Sequence, residues 1–447
     1  MATDMTKHFT LFELLKLSVP CMATTLFASV YAVIDGLFVV NCSGKEAFAA
    51  INIVMPFILI LGSAGFMIGA GGSALVSHAQ GAGKTKFAQE SFTLLTVFTF
   101  LLGLVCAALG YLFMPSIAYA LGARDNLYEM ALVYGRISMS SLAFYMVQYA
   151  FQPLFSAAGK PGYGFLVTLV AGLSNIVLDA VFVAGLNWGV AGAAWATAIS
   201  EFVGGGIPLV YFMRKHNSSH FRFTRFAVRM STIAKACSNG SSEMISLVSV
   251  SLAGMLYNIQ LLSYIGADGV AAYGTLLYVG WLFSALFGGF AIASSPLMSF
   301  AHGSANLVEK QSLLKKSLLI MAALGILMTF IAYFGSYYIS CAFSGGDSAL
   351  QTLTEFALRI YALSFLVMGI SIYGSSLFTS LGNGLVSAII SLVRTLVLGC
   401  GAVLLLPVFL GVNGIWLSCV VSEIISAVFV AALIYVFGPQ YQLRHAK

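Results

Sequence analysis

Charge is what this 447-residue sequence lacks. Asp, Glu, Lys and Arg make up 8% of it, against 60% hydrophobic residues, whereas a soluble domain carries roughly 25% charged residues. That leaves too little polar surface to cover a water-soluble fold of this size, and the mean hydropathy of +0.96 agrees. A cytosolic enzyme, a nucleic-acid reader and a disordered scaffold are excluded. The formal charge of +6 bears on orientation in a membrane and not on nucleic acid. The seven cysteines are odd in number and show no metal-like spacing. Cys21, Cys106, Cys237, Cys400 and Cys419 fall in or beside apolar runs and read as buried small hydrophobes. No G-x-x-x-x-G-K-S/T loop is present, so nothing suggests ATP use. No cleavable signal is expected either. The first apolar run, Leu14 to Val40, is too long for a signal core, has no small-residue cleavage site, and carries Pro20 and Asp35. Period-two alternation is missing, which rules out a membrane β-barrel.

What is present is a series of long apolar runs. A helical span needs about 20 residues, and the breaks at Gly, Pro and charge predict twelve helices. In the first half they run over 14–40, 50–80, 89–113, 128–158, 162–185 and 189–213. In the second they run over 236–265, 270–302, 313–341, 350–381, 385–407 and 412–437. With the N-terminus in the cytoplasm, sixteen of the 21 Lys and Arg residues fall on the cytoplasmic side. Only Lys45 and Arg124 fall in outside loops, and Arg136, Arg359 and Arg394 lie within spans. That bias supports twelve spans with both termini cytoplasmic.

The sequence repeats itself about its most basic connection, Arg214 to Lys235. Gly44 matches Gly266, Ser77-x-Ala-x-Gly81 matches Ser299-x-Ala-x-Gly303, and Arg136-Ile137 matches Arg359-Ile360. Leu154-Phe155 before Gly159 matches Leu377-Phe378 before Gly382. Gly189-Val-x-Gly ending at Ser200-Glu201 matches Gly411-Val-x-Gly ending at Ser422-Glu423. The offset stays at about 222 residues, the mark of a duplication. The expected fold is an all-α integral membrane protein of two pseudo-symmetric six-helix lobes, residues 1–213 and 236–447, joined by a basic linker at 214–235. Two such bundles facing across a cleft are a transporter architecture.

An ionised side chain at bilayer depth costs at least about 2.5–3.5 kcal/mol, so each one needs a reason. Asp35 in span 1 and Asp179 in span 5 sit at one depth, roughly 9 Å from the outer end at about 1.5 Å per residue. Asn175 lies four residues before Asp179 on the same helix face, and Thr197 enters span 6 from the same side. This oxygen-rich group suits a proton or a small hard cation such as Na⁺; the other reading is that these residues tie helix to helix. At the duplicated offset Asp35 becomes Tyr257 and Asp179 becomes Gly401, so the group is a specialisation of the first half. Arg136 and Arg359 read as structural, by snorkelling or pairing at the interface. Glu201 and Glu423 stay open between structure and function. Glu243 stands near the inner end of span 7 and receives no coupling role, and spacing alone does not bring Glu243, Arg394 and Glu423 together.

Tyr145, Gln148, Tyr149 and Gln152 form a stripe on span 4 that reads either as a cleft wall for an amphipathic organic cation or as helix packing. Phe27, Tyr31, Met55, Met255, Tyr257, Asn258 and Tyr278 are weaker substrate-site candidates. Gly62, Gly65, Gly69, Gly71 and Gly72 in span 2, with Gly288 and Gly289 in span 8, permit close packing and bending.

These features together resemble the multidrug and toxic compound extrusion (MATE) family, in its prokaryotic form. They are Pro20, Asp35-Gly36 ahead of a loop ending in Ala49-Ala50, Gly81, Asn175-x-x-x-Asp179, the Gly189-x-x-Gly-x-x-x-Ala-Thr197 block, and their repeats. The resemblance covers essentially the whole chain. It implies a V-shaped pair of six-helix lobes that exports cationic drugs against an inward flow of Na⁺ or H⁺, as a monomer in a bacterial or archaeal cytoplasmic membrane. It also implies that Asp35, Asn175, Asp179 and Thr197 form the first-lobe cation site. No cofactor beyond the coupling ion is implied. A lipid-linked precursor flippase of related architecture is the alternative, but it favours a cleft built from several arginines, and the three here are scattered. An intramembrane aspartyl protease is disfavoured because Ile34-Asp35 and Leu178-Asp179 lack its Tyr-Asp and Gly-x-Gly-Asp contexts.

Overall fold

A computed structural model describes residues 3–214, 218–344 and 346–443, and all regular structure among them is helical. Twelve spans cross the fold. They are α1 (Leu11–Ser43), α2 (Lys45–Gly81), α3 (Thr85–Ala120), α4 (Asp125–Ala157), α5 (Pro161–Gly185), α6 (Gly189–Met213), α7 (Met230–Tyr264), α8 (Ala267–Gly303), α9 (Leu307–Phe343), α10 (Ser348–Ala362 and Phe365–Ser380), α11 (Gly384–Leu410) and α12 (Val412–Phe437). The sequence predicts α10 as one continuous helix; it is instead broken by 50° between its two arms. No proline stands at the break, and Ser364 there turns its hydroxyl back onto the Tyr361 carbonyl at 2.7 Å, a side-chain bond of the kind that bends helices.

Local chemistry sets the helix ends. Thr10 and Glu13 form a capping box at the start of α1, with Glu13 N donating to Thr10 Oγ1 at 3.2 Å and Thr10 N donating to Glu13 Oε2 at 2.9 Å. Asn306, Asp347 and Asn383 accept from the first-turn amides of α9, α10 and α11. The duplication extends to backbone conformation. Gly44 and Gly266 have φ of 89° and 90°, and Gly189 and Gly411 both have 58°, values that glycine adopts without penalty. Large apolar side chains line the outer surface, among them Leu112 and Phe113 on α3, Phe334 and Tyr338 on α9, and Val408 and Phe409 on α11. Such a surface fits lipid and not water.

The lobes join through small residues. A Cβ on Gly71 of α2 would lie 2.0 Å from the Ala236 carbonyl of α7, and one on Gly289 of α8 would lie 2.5 Å from Met22 Cα of α1. These are the same contact made twice, α2 on α7 and α8 on α1, as the repeat requires. Nearer the ends of α2 and α8, Gly303 abuts the His78 carbonyl and Gly81 the Phe300 carbonyl. All of these junctions lie toward one face, which carries the chain's start and the connections with Lys84, Lys160, Arg222, Lys310 and Lys316. Lys215, Arg444 and Lys447, assigned to this face from sequence, lie outside the described residues.

A short N-terminal strap crosses that face. Thr3 N donates to the Gly159 carbonyl at 3.1 Å and its own carbonyl meets His220 Nε2 at 2.7 Å, both in the first half of the chain. Met5 and Phe9 then bury in the core of the second lobe, where Glu309 takes the Phe9 amide at 3.1 Å and pairs with His8, and Lys316 donates to the Phe9 carbonyl. From there α1 itself passes between lobes. Leu14 belongs to the second-lobe core, Thr25 Oγ1 donates to the Ala285 carbonyl of α8 at 2.6 Å, and Val39 ends in the first-lobe core.

Candidate coupling-cation site

Four helices bring the first-lobe residues together. Asp35 on α1 faces Asp179 and Asn175 on α5, and Tyr134 on α4 faces both aspartates and Thr197 on α6. Asp179 and Asn175 are 0% and 2% exposed. The close meeting of α1 with α5 depends on Gly172, where a Cβ would stand 2.5 Å from the Phe27 ring and 2.8 Å from the Tyr31 ring. Both acids also stand beside irregular backbone. Asp179 is the last α-helical residue before a π-helical turn at Ala180–Gly185, and a second such turn, Val39–Ser43, closes α1 just beyond Asp35. Wide turns of this kind gather at functional sites.

The site's oxygens face one another without closing good hydrogen bonds. Asp35 Oδ1, Asn175 Oδ1, both Asp179 carboxylate oxygens and Thr197 Oγ1 are buried and have no hydrogen-bond partner. Buried polar atoms are almost always paired, and an unpaired cluster calls for an ion or water. Five oxygen donors from four side chains fit a proton or a hard cation. Among the described residues no three His, Cys, Asp or Glu side chains form a metal cluster, so the carboxamide and hydroxyl are needed to complete any cation shell.

The stripe on α4 turns into the first lobe. The Tyr145 ring occupies the space a Cβ on Gly62 of α2 would need, and Tyr145 packs on Tyr149 at 4.7 Å between centroids. Tyr149 meets Phe66 of α2, and Gln148 fills the gap at Gly204 of α6. Gln148 and Gln152 line a narrow cavity with Thr24, Thr25 and Thr168 of the first lobe and Ile292 of α8. Tyr31 joins this group, near Tyr149 and Asp35. Tyr257 does not: it stacks on Tyr273 at 4.7 Å in the second-lobe core, and its neighbour Asn258 is exposed.

In the second lobe the charges meet. Arg394 Nε and Nη2 donate to the Glu423 carboxylate at 2.8–3.1 Å, and Glu243 lies in electrostatic reach of Arg394. Helix α7 begins at Met230, six residues before the expected start, which sets Glu243 about 20 Å along the helix. Arg136 sits over the Tyr111 ring, and Arg359 pairs with Glu355. Sequence reasoning missed Tyr134 and Ser141. Both lie on the face of α4 that carries Tyr145 and Gln148, and extending that stripe toward the N-terminus would have found them.

Comparison with known proteins identifies the family and the fold. The MatE family model matches the chain twice, over residues 20–181 and 243–402. The chain belongs to the MATE family. It is therefore a multi-pass membrane transporter and not an enzyme. Multidrug export protein MepA of Staphylococcus saprophyticus is 22% identical over 433 residues, covering 96% of this chain and 94% of that protein. MepA of Staphylococcus haemolyticus is 23% identical, covering 94% and 92%. Among solved structures, a MATE transporter in complex with MaL6 superposes with a TM-score of 0.92 at 20% identity, covering 96% of this chain and 97% of that one. An outward-facing multidrug resistance MATE transporter of the MOP superfamily gives 0.91 at 20% identity, with 96% of each chain covered. The fold of this MATE chain is thus the two-lobed, twelve-helix fold of those transporters.

Proposed function

We propose that this MATE protein is a cation-coupled antiporter that exports cationic amphipathic drugs or metabolites, with its basic face in the cytoplasm. The observation that carries the reading is the cluster of unpartnered oxygens at Asp35, Asn175, Asp179 and Thr197, held in one lobe while both lobes pack together at the basic face. The names of the MepA relatives, multidrug export proteins, support drugs as cargo. In the present arrangement the cluster takes up H⁺ or Na⁺ from the outer side. Asp35 rides on the helix whose start is anchored in the second-lobe core, so drawing Asp35, Asp179 and Thr197 together around a cation moves α1 against both lobes. Cation and drug need not touch; they need only favour different states. A flippase cleft is not favoured, because Arg136, Arg359 and Arg394 are each engaged separately.

The test is ethidium efflux from proteoliposomes under an imposed H⁺ or Na⁺ gradient. Wild type should move ethidium uphill under one of them, and Asp35→Asn and Asp179→Asn should abolish that response. Lipid flipping without ethidium movement would overturn the reading. Efflux that survives both substitutions would make the first-lobe cluster structural.

A further inference from the structure

The duplicated glutamates Glu201 on α6 and Glu423 on α12 are both buried, 9% and 7% exposed, yet they are treated differently. Glu423 is neutralised by a two-nitrogen bridge from Arg394. At the same offset of 222 residues the first lobe has Gly172 in place of Arg394. Glu201 consequently has no lysine, arginine or histidine partner among the described residues. Its polar contact is the Ser141 hydroxyl, which donates at 2.6 Å.

Its position connects two polar regions. Glu201 follows Thr197 by one turn, about 6 Å toward the basic face, and lies in electrostatic reach of Asp35. The titratable groups around it are Tyr31 and Asp35 on α1 and Tyr134, Tyr145 and Tyr149 on α4. Farther along the same lobe is the narrow cavity lined by Gln148, Gln152, Thr24 and Thr168. Gln148 is 8% exposed and its Oε1 has no partner, so an acceptor waits there for a proton-carrying water. A lone buried carboxylate must be paired or protonated, and one carboxylate with one hydroxyl offers too few oxygens to hold a metal cation.

We infer that Glu201 is the inner proton station of the first lobe, passing protons from the Asp35–Asp179 pair to the cavity at Gln148 and onward to the basic face. In the transfer Glu201 first gives its proton to water in the cavity, breaking its O–H bond; an O–H bond at Asp35 then breaks as the one at Glu201 forms again, directly or through a Tyr31 or Tyr145 hydroxyl, and water is the only other participant. The inference rests on the antiport reading and narrows its coupling ion to H⁺.

Two measurements on reconstituted full-length protein test it. Carbodiimide labelling with peptide mapping reads which buried carboxyls carry a proton: Glu201 should be modified and the ion-paired Glu423 should not. Ethidium transport is then measured both under a pH gradient and as gradient-free exchange. Glu201→Gln should lose the pH-driven component while exchange persists, and Glu201→Asp should restore part of it. If Glu201→Gln does not fold, labelling of wild type still decides: Glu201 unmodified where Asp35 or Asp179 is modified overturns the station. Equal pH-driven efflux by wild type and Glu201→Gln overturns the relay alone. A wild type driven only by Na⁺, or by neither ion, removes the proton route together with the corresponding part of the antiport reading.

Discussion

The Arg394–Glu423 pair allows a quantitative test of how the second lobe is held together. The two side chains are 16% and 10% exposed and share three contacts of 2.8–3.1 Å. Removing one member of a buried pair typically costs about 3–5 kcal/mol, because the other is left charged and uncompensated. The two halves should not be equivalent. An arginine cannot shed its charge, so Glu423→Gln strands a guanidinium with Glu243 as the remaining carboxylate in electrostatic reach among the described residues and should fall near the upper end of that range. Arg394→Met strands two carboxylates, which can take up protons, so its deficit should shrink as pH falls. The double variant Arg394→Met/Glu423→Met removes the pair but leaves Glu243 without its cation, so it should lie closer to wild type than Arg394→Met alone and approach neutrality as pH falls. Reversible unfolding in mixed micelles, run on these proteins together with Glu423→Met, closes the double-mutant cycle and gives the coupling energy. A Glu423→Gln variant within about 0.5 kcal/mol of wild type, the range of an inert surface change, would refute the view that this pair is buried and compensated.

Three further outcomes are expected. Gly303→Ala places a Cβ 2.1 Å from the His78 carbonyl; backbone cannot yield locally, so the lobes should part at the basic face, and spin-label distances between α2 and α8 that stay unchanged would count against this. Tyr134→Phe removes the hydroxyl that faces Thr197 and lies in electrostatic reach of both aspartates; a neutral hydrogen bond is worth about 0.5–1.5 kcal/mol net, so the driving-ion concentration for half-maximal efflux should rise by roughly two- to tenfold. Phe9→Ala empties the strap's buried anchor, 2% exposed, at a cost of about 3–5 kcal/mol to its docking. Amide exchange over residues 3–10 should then accelerate, and exchange as slow as in wild type would mean that the His8–Glu309 and Lys316 contacts hold the strap by themselves.

The sequence by itself determined the membrane class, the twelve spans and their duplication, because each rests on local hydropathy or on chain order, which need no partner to be read. It also set the depth of Asp35, Asn175, Asp179 and Thr197, since a helix converts residue number into height. What a helix does not convert is azimuth relative to other helices. Tertiary structure alone turned Gln148 and Gln152 into a cavity bordering the first lobe, sent Tyr257 into the second-lobe core, and brought Tyr134 beside the aspartates. It alone brought Arg394 onto Glu423 across 29 residues of chain, a meeting that depends on how α11 packs against α12. The difference between the lobes was written at one pair of positions, Gly172 and Arg394. Its meaning appeared only in three dimensions, where the glycine admits the rings of α1 and the arginine holds Glu423, while Glu201 is held by the Ser141 hydroxyl and no cation among the described residues.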